Sequence, residues 1–323
     1  MAPSKPESGA NATVRIDGAV KVYGERRALD GLDLELRAGR WTGLIGPNGA
    51  GKTTCMMSIA GLLSLEAGRV EIDGDAVTGP TPEAIGWVPQ DLALYKQLSG
   101  LENLQTFGAL HGLRGTELRR RIEWALDWTG LEARAGDRVG SYSGGMQRRL
   151  NIACAVLHRP RILLLDEPTV GVDPQARERI FTMLDELKQD GVALLHSSHE
   201  LGDIESSCDR LIILDRGRAV ASGTVPEIVR ETIGEGAVLR LEFSASELDA
   251  LATELANVAP ELRHAAGGHF EANLGDVLVE LPPLLEAIAK VSAEVDAVVS
   301  HIDVSTPGLQ DVFLELTGRE LRE

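Results

Sequence analysis

Short apolar segments alternate with stretches of helical periodicity over roughly the first 230 residues of the chain. Trp41–Ile45 runs directly into glycines, while Ile162–Leu165 and Val192–Leu195 are continuous apolar runs typical of strands buried on both faces. Leu211–Leu214 and Ala219–Ala221 flank a polar turn and predict a hairpin. This order predicts an α/β domain built around a mostly parallel sheet.

The pattern becomes purely helical from about residue 91 to residue 158, which predicts a separate helical subdomain within the α/β domain. Ser99 and Glu102 form a capping box at the start of one helix, and Gly115 opens the next. The basic run Arg119–Arg121 falls in that second helix and is interpreted as a solvated face.

The pattern changes again after about residue 235, where strands and helices follow the order βαββαβα. The predicted elements are strand Val238–Phe243, helix Ser244–Val258 with a Ser244 and Glu247 capping box, strands His269–Leu274 and Val277–Leu281, helix Pro282–Ala293, strand Val295–Val304 and a last helix after Thr306. This order suggests a small α+β domain with a ferredoxin-like fold. The predicted organisation is a disordered tail at 1–12, an α/β domain at 13–230 and an accessory domain at 236–323.

Composition narrows the function classes. The chain has 323 residues and a formal net charge of -17, which argues against a nucleic-acid-binding surface and against docking to an anionic membrane. No apolar stretch approaches the roughly 18 residues that would span a bilayer, and the polar N-terminus does not resemble a secretory signal. Cys55, Cys154 and Cys208 lack motif spacing and are interpreted as reduced thiols.

A glycine-rich loop follows the first buried strand and precedes a helix. Its residues fit the pattern G-x-x-x-x-G-K-[ST] and are Gly46, Pro47, Asn48, Gly49, Ala50, Gly51, Lys52 and Thr53. Glycines allow successive backbone N–H groups to converge on a phosphate, and the helix dipole adds to the attraction. Lys52 is expected to reach the β- and γ-phosphates, and the Thr53 hydroxyl to ligate Mg²⁺.

Two adjacent carboxylates, Asp166 and Glu167, end the apolar run Ile162–Leu165. Neighbouring residues of a strand point to opposite faces, so the two acids can have different tasks. We expect Asp166 to hold Mg²⁺ through water and Glu167 to polarise the attacking water as a general base.

A second candidate phosphate-binding segment consists of Ser143, Gly144 and Gly145. Ser143 is a good N-cap for the following helix, and the two glycines leave the helix end bare enough to receive a phosphate. A single nucleotide does not need both phosphate-binding segments, the Gly46–Thr53 loop and the Ser143 segment, from the same chain. We therefore expect two chains, each supplying half of a site.

Other candidates are weaker when taken singly. His199 follows the run Val192–Leu195, where α/β sheets place ligands, although Ser197 with Glu200 is interpreted as a capping box and His196 is a competitor. Three further candidates are Gln90 at the start of the helical insert, the loop acid Asp173, and Tyr23, which could stack on a purine.

Together and in this order, these elements resemble the ATP-binding subunit of an ABC transporter over about residues 13–225. The matches are Gly46–Thr53 to the Walker A loop, Ile162–Glu167 to the Walker B strand, Tyr142–Met146 to the signature sequence, Gln90 to the Q-loop, Asp173 to the D-loop, His199 to the switch histidine and Tyr23 to the adenine-stacking aromatic. The run from Gly46 to Thr54 and the segment Leu309–Leu321 look especially like subunits of the daunorubicin-resistance type. Tyr142 and Met146 depart from the commonest signature, which has Leu and Gln there.

The resemblance implies a P-loop NTPase fold that binds ATP and Mg²⁺. It implies that Gln90 and His199 act with Glu167 in hydrolysis, and that Gln90 joins Thr53 and Asp166 around the metal. Two copies would pack head to tail, so that ATP on Gly46–Thr54 of one is covered by Ser143, Gly144 and Gly145 of the other. Asp173 would also lie at the bound nucleotide.

The resemblance further implies a separate membrane permease whose coupling helices meet the helical insert and the Gln90 loop. The chain would then lie in the cytoplasm, peripheral on the inner face of the cell membrane, and power multidrug or other small-molecule export. One alternative is a soluble ABC ATPase that acts on ribosomes or DNA. Another is a non-hydrolysing switch, which the presence of Glu167 disfavours.

Overall fold

The structure is a computed structural model that describes residues 12–81, 83–244, 248–264, 269–275, 277–295 and 297–317. The chain divides between Thr224 and Val225 into two compact units. The predicted tail at 1–12 lies outside the described residues except for Ala12, which begins the first strand. No helix in the described part of the chain is both long enough and apolar enough to cross a membrane.

The first unit contains two sheets and two sets of helices. Its strands are β1 (Ala12–Tyr23), β2 (Arg26–Arg37), β3 (Trp41–Ile45), β4 (Ala67–Ile72), β5 (Asp75–Ala76), β6 (Ile85–Val88), β7 (Ile162–Asp166), β8 (Ala193–Ser198), β9 (Arg210–Asp215) and β10 (Arg218–Gly223). Its helices are α1 (Lys52–Ile59), α2 (Gly100–Leu110), α3 (Gly115–Thr129), α4 (Gly144–Val156), α5 (Pro174–Gln189) and α6 (Leu201–Ser207), with 3-10 turns at Glu132–Arg134 and Val139–Ser141.

The larger sheet has the strand order β10-β9-β3-β8-β7-β6. Every pairing from β9 to β6 is parallel, and β9 with β10 forms the predicted antiparallel hairpin. The strands β3, β7 and β8 are buried along their whole length, as their continuous apolar runs predict. This is the predicted mostly parallel α/β sheet, and the phosphate loop, Gln90, Glu167 and His199 follow the carboxyl ends of its strands.

A second, antiparallel sheet with the order β2-β1-β4-β5 was not predicted. The strand β2 alternates buried and exposed residues, with Leu32, Leu34 and Leu36 facing the core. That period of two belongs to a sheet with one solvated face, unlike the continuous runs of the parallel sheet. The hairpin of β1 and β2 places Tyr23 and Arg26 at its turn.

The helices α2, α3 and α4 occupy the predicted helical insert. The Ser99 hydroxyl accepts from the Glu102 N–H at 3.1 Å, and the Glu102 carboxylate accepts from the Ser99 N–H at 2.7 Å, which confirms the capping box.

The interpretation of Arg121 as part of a solvated face was wrong. Arg121 is only 6% exposed, and it donates to the carbonyls of Leu157 at 2.8 Å and Val156 at 3.1 Å. Its guanidinium lies 3.8 Å from the ring centroid of Trp124. Unpaired carbonyls at the end of α4 accept these donors, so α3 fixes the carboxyl end of α4.

The second unit begins with helix α7 (Val225–Thr232). It continues with β11 (Ala237–Ser244), α8 (Leu248–Val258), β12 (Arg263–His264), β13 (His269–Leu274), α9 (Val277–Glu294), β14 (Val298–Ser305) and α10 (Leu309–Thr317). The element order βαββαβα is as predicted, and the antiparallel strand order β12-β13-β11-β14 is that of a ferredoxin-like sheet.

One predicted strand of this unit was wrong, and one predicted cap cannot be compared. Val277–Leu281 forms the start of α9, because Val277 and Leu281 continue the helical spacing of buried residues Leu284 and Ile288. The strand that pairs with His269–Leu274 at the sheet edge is instead β12. Glu247 of the predicted capping box lies outside the described residues.

His196 generates a prediction about acid stability. Its side chain is fully buried beside Trp41 and Phe181, and neither ring nitrogen has a hydrogen-bond partner among the described residues. Burial lowers the pKa of His196 to about 3. The unfolded chain takes up this proton as the pH falls through about 6.5, so the free energy of unfolding decreases between pH 6.5 and pH 3.

We predict that His196→Leu removes this contribution. Between pH 6 and pH 4.5, the free energy of unfolding of the variant should fall less steeply than that of the wild type, by about 1.4 kcal/mol per pH unit. Urea unfolding followed by tryptophan fluorescence measures it, because the four tryptophans all lie in the first unit. Comparison at pH 7.5 removes the pH-independent effect of the substitution, and parallel slopes would contradict the prediction.

Candidate active site

The loop between β3 and α1 has the backbone that phosphate binding requires. Gly51 precedes α1 with a φ of 112°, and no side chain caps the helix start. A side chain at Gly46 would overlap the Leu214 carbonyl, and one at Gly51 would overlap the Ala28 carbonyl. Only glycine fits at these two positions, and the N-terminal N–H groups of α1 stay open to a ligand.

Lys52 lies folded over this loop. Its ammonium donates to the Gly46 carbonyl at 2.7 Å and to the Pro47 carbonyl at 3.4 Å, and the residue is 7% exposed. Burial lowers the pKa of Lys52, against the opposing charges of Glu167 and Asp166. An anion bound in the loop could therefore replace the two carbonyls as the acceptor of the Lys52 ammonium.

Asp166, at the end of β7, is held by two hydroxyls. The Thr53 hydroxyl donates to Oδ2 at 2.9 Å, and the Ser197 hydroxyl donates to Oδ1 at 2.6 Å. Hydroxyl and carboxylate oxygens are the ligands that Mg²⁺ prefers. No cluster of three His, Cys, Asp or Glu side chains in the described ranges could hold a metal by itself. These donors therefore fit a magnesium ion that completes its shell with phosphate oxygens and water.

Glu167 lies at the meeting point of three parallel strands. Gln90, which follows β6, donates to Glu167 Oε2 at 3.0 Å, and His199 Nδ1, which follows β8, lies 3.4 Å from Oε1. Glu167 has a φ of 48°, an uncommon backbone conformation for a residue with a side chain. Its N–H donates to the hydroxyl of Ser197 at 3.1 Å and to the carbonyl of Ser197 at 3.2 Å. The structure thus brings together Gln90, Glu167 and His199.

Ser197 contacts the candidate site residues, and its assignment to a capping box with Glu200 was wrong. It lies within β8, fully buried and directly beside Asp166 in the parallel register. Its hydroxyl donates to the Asp166 carboxylate and accepts from the Glu167 N–H. The hydroxyl that accepts from the Glu200 N–H, at 2.9 Å, is that of Ser198. His196, the competitor of His199, is buried in the core. Aligning the apolar runs of β7 and β8 in parallel register places Ser197 beside Asp166, and this was the signal that could have identified it.

A cavity of about 820 Å³ joins these groups and is large enough for a nucleotide. Tyr23 is 50% exposed at this cavity, so its ring is free to stack. Arg26 also lines it and donates to the Gly49 carbonyl, and the sequence analysis missed it because the hairpin of β1 and β2 was not predicted. Other residues around it are Asn48, Gly49, Gly51, Lys52, Thr53, Thr54, Gln90, Asp166, Glu167, Gly171 and His199.

Among the described residues, Ser143, Gly144 and Gly145 do not line that cavity. Ser143 caps α4, with its hydroxyl accepting from the Met146 N–H at 3.3 Å. A side chain at Gly145 would overlap Ala176, so the start of α4 packs closely on the start of α5. Asp173 caps α5 by accepting from the Ala176 N–H at 2.9 Å. The structure thus groups Asp173 with the Ser143 segment.

Arg148 connects α4 to the loop of Gln90. Its guanidinium donates to the carbonyls of Pro89 at 3.2 Å and Gln90 at 3.0 Å, and the residue is buried. Burial lowers the pKa of Arg148, with the charge of Asp91 opposing. The sequence analysis did not single out this residue, because an arginine in a helix has no motif that distinguishes it.

Known proteins match most of the chain. A sequence model described as ABC transporter matches residues 29–170. The linearmycin resistance ATP-binding protein of Bacillus subtilis is 34% identical, with 94% of this chain and 97% of that protein covered. A daunorubicin resistance ATP-binding protein of Streptomyces coeruleorubidus is 35% identical, covering 97% and 98%, and the Nod factor export ATP-binding protein I of Ralstonia nicotianae is 36% identical, covering 99% and 98%.

Solved structures agree with this assignment. The structure of an ATP-binding subunit of an ABC transporter matches with a TM-score of 0.61 at 30% identity, covering 68% of this chain and 92% of that chain. A dimeric bacterial ABC transporter cassette matches with a TM-score of 0.60 at 28% identity, covering 65% and 98%. These findings confirm the resemblance drawn from the motifs and the P-loop NTPase fold. The chain belongs to the ABC transporter family, as an ATP-binding subunit that hydrolyses ATP.

Proposed function

We propose that this chain powers the export of a drug or another small molecule by closing around ATP as a pair with a second copy of itself. One observation carries the proposal. The phosphate loop, Asp166 and Glu167 line one cavity, and Ser143, Gly144 and Gly145 of the same unit are not among the residues that line it. A single chain therefore presents two half-sites, and a two-fold pair completes both of them.

The triphosphate would lie on the loop from Gly46 to Thr54. The N–H groups at the start of α1 would bind it, and Lys52 would exchange its carbonyl partners for phosphate oxygens. Tyr23 would stack on the adenine. Thr53, Asp166 and Gln90 would hold Mg²⁺, which when bound neutralises phosphate charge and orients the oxygens.

Glu167 would act as the general base. A water molecule attacks the γ-phosphorus, its proton passes to the Glu167 carboxylate, and the bond to the β–γ bridging oxygen breaks. Gln90 and His199 contact the two oxygens of this carboxylate, so both can orient it. Both would also change their contacts when a γ-phosphate binds beside it. Ser197 is a positioning residue here, because it fixes the backbone of Glu167 and the side chain of Asp166.

In the pair, Ser143, Gly144 and Gly145 of one copy would cover the γ-phosphate on the other. Asp173 adjoins this segment and would lie at the same contact. The dimeric cassette among the similar structures supports this arrangement. Closing buries the nucleotide between copies, and hydrolysis removes the shared phosphate contacts so that the copies separate.

A separate membrane permease would receive this motion at the helical insert and the Gln90 loop, which places the chain on the inner face of the cell membrane. The named relatives support export of a drug or another small molecule, since they are ATP-binding proteins of linearmycin resistance, daunorubicin resistance and Nod factor export. The alternative of action on ribosomes or DNA is disfavoured by the net charge of -17.

We predict that Glu167→Gln binds ATP but hydrolyses it about 100- to 1,000-fold more slowly, because the amide cannot accept the proton of the water. ATP-bound dimers should accumulate on size-exclusion chromatography. Glu123→Gln, which changes an exposed glutamate of α3, is the control and should hydrolyse ATP normally. Hydrolysis by Glu167→Gln near the wild-type rate would contradict the role of general base.

Ser197→Ala should lower kcat about 10- to 100-fold, since loss of a hydrogen bond to a buried charged group costs about 1–3 kcal/mol. The affinity of the monomer for ATP should change little. Ser197→Thr keeps a hydroxyl and should recover most of the activity. Equal loss in both variants would mean that Ser197 acts through packing rather than through its hydroxyl.

Ser143→Arg should abolish ATP-driven dimerisation, because a long cation replaces the small cap at the proposed contact between copies. Nucleotide binding to the monomer, measured with a fluorescent ATP analogue, should be unchanged. Ser141→Arg, at an exposed position two residues earlier, is the matched control and should still dimerise. Weakened binding in the Ser143→Arg monomer would place Ser143 in its own chain's nucleotide site.

A further inference from the structure

The strand β14 forms an exposed edge of the sheet in the second unit. Three of its apolar side chains are open to solvent: Val298 is 63% exposed, Ile302 49% and Val304 38%. The opposite edge, β12, is only two residues long and so offers little to pair with. Long apolar edges are templates for further strands, and proteins normally protect them.

The part of the strand from His301 to Ser305 carries little protection, because the one register irregularity of β14 with β11 lies before it, between Val299 and His301. The eight residues of β14 contain neither proline nor lysine, the usual means of blocking edge pairing. Ile302 lies beside Leu241 and Val304 lies beside Leu239, which places both on the face that carries the buried core of this unit. An added strand would therefore extend an existing apolar core.

We propose that β14 pairs antiparallel with β14 of a second copy, so that the two sheets become continuous across a two-fold axis. This inference rests on the proposed function in one respect. Closure around ATP already brings a second copy to each chain, and tethering gives the paired strands a high effective concentration. The second unit would then hold two copies together independently of the nucleotide.

Symmetry restricts the register of such a pair. Directly opposed side chains must point to the same face, so the axis must pass through a residue rather than between two. An axis at His301 or at Asp303 places two identical polar side chains opposite each other, and in the second case they are like charges. An axis at Ile302 opposes Ile302 with its own copy and places each His301 opposite an Asp303.

The surroundings of Asp303 are compatible with that register. Asp303 Oδ2 accepts from the Ser305 hydroxyl at 2.9 Å and lies 3.4 Å from Nη1 of Arg240, and its side chain is 44% exposed. Room for another donor therefore remains at this carboxylate. His301 is exposed and is positioned to supply that donor to the second copy.

Disulfide cross-linking of the full chain tests the register. Ile302→Cys places two thiols on the axis, where opposed Cα atoms of antiparallel strands are about 4.5–5.5 Å apart, within the range of a disulfide. Val304→Cys is the matched control, because its two copies would be about 13 Å apart. Cys55 and Cys154 are buried and burial raises the pKa of Cys208, so the native thiols should react little.

We expect oxidation to cross-link Ile302→Cys at least about tenfold more than Val304→Cys without ATP, and ATP should increase the cross-link further because closure raises the effective concentration. Adding Ser143→Arg should leave the nucleotide-free cross-link intact, since the two contacts are separate. As a second measurement, Ile302→Asp without cross-linking should weaken nucleotide-free association at least about tenfold. ATP-bound dimers of Glu167→Gln that show no excess cross-link at residue 302 would overturn this inference while leaving the proposed function standing. A cross-link without ATP-driven dimers would support it and count against the ATP-bound pair.

Discussion

The hydroxyl of Ser197 connects Asp166 with the backbone of Glu167, and the arrangement of the candidate site depends on this contact. The parallel register of β7 and β8 puts the hydroxyl in place. That register places Ser197 beside Asp166, where its one oxygen donates to the carboxylate and accepts from the N–H of Glu167. Glu167 keeps an uncommon backbone conformation, and this hydrogen bond compensates for part of its cost. The positions of Asp166, the proposed metal ligand, and of Glu167, the proposed general base, are therefore set by β8, a strand that contains neither residue.

The residues with motifs were predictable because their chemistry is local. The glycines of the phosphate loop, Lys52 and Thr53 act within one turn of the chain, and the Ser99 capping box spans four residues. The parallel sheet of the first unit and the order of elements in the second unit also followed from apolar periodicity. Gln90 and His199 were candidates from their positions, the resemblance implied their role in hydrolysis, and the structure shows that both contact Glu167.

The residues that were missed depend on contacts between distant segments. Ser197 needs its neighbouring strand, and Arg26 reaches the phosphate loop only through a hairpin whose alternating pattern was not recognised. Arg121 looked like part of a solvated run until the end of α4 provided its acceptors. Val277–Leu281 contains two valines, which favour a strand. Only the helical spacing of Val277 and Leu281 with the buried residues Leu284 and Ile288 shows that the segment is helical.

The contact of Arg148 with the Gln90 loop has a consequence for energy transfer. The helix α4 carries Ser143 at its start, while Arg148, one turn later, binds the carbonyls of Pro89 and Gln90. In the proposed pair, one short helix therefore links the phosphate of one copy with the permease-facing loop of the other. Linkage makes such coupling reciprocal. In the proposed pair, the factor by which bound ATP changes the affinity of the permease for the Gln90 loop is also the factor by which the permease changes the affinity for ATP.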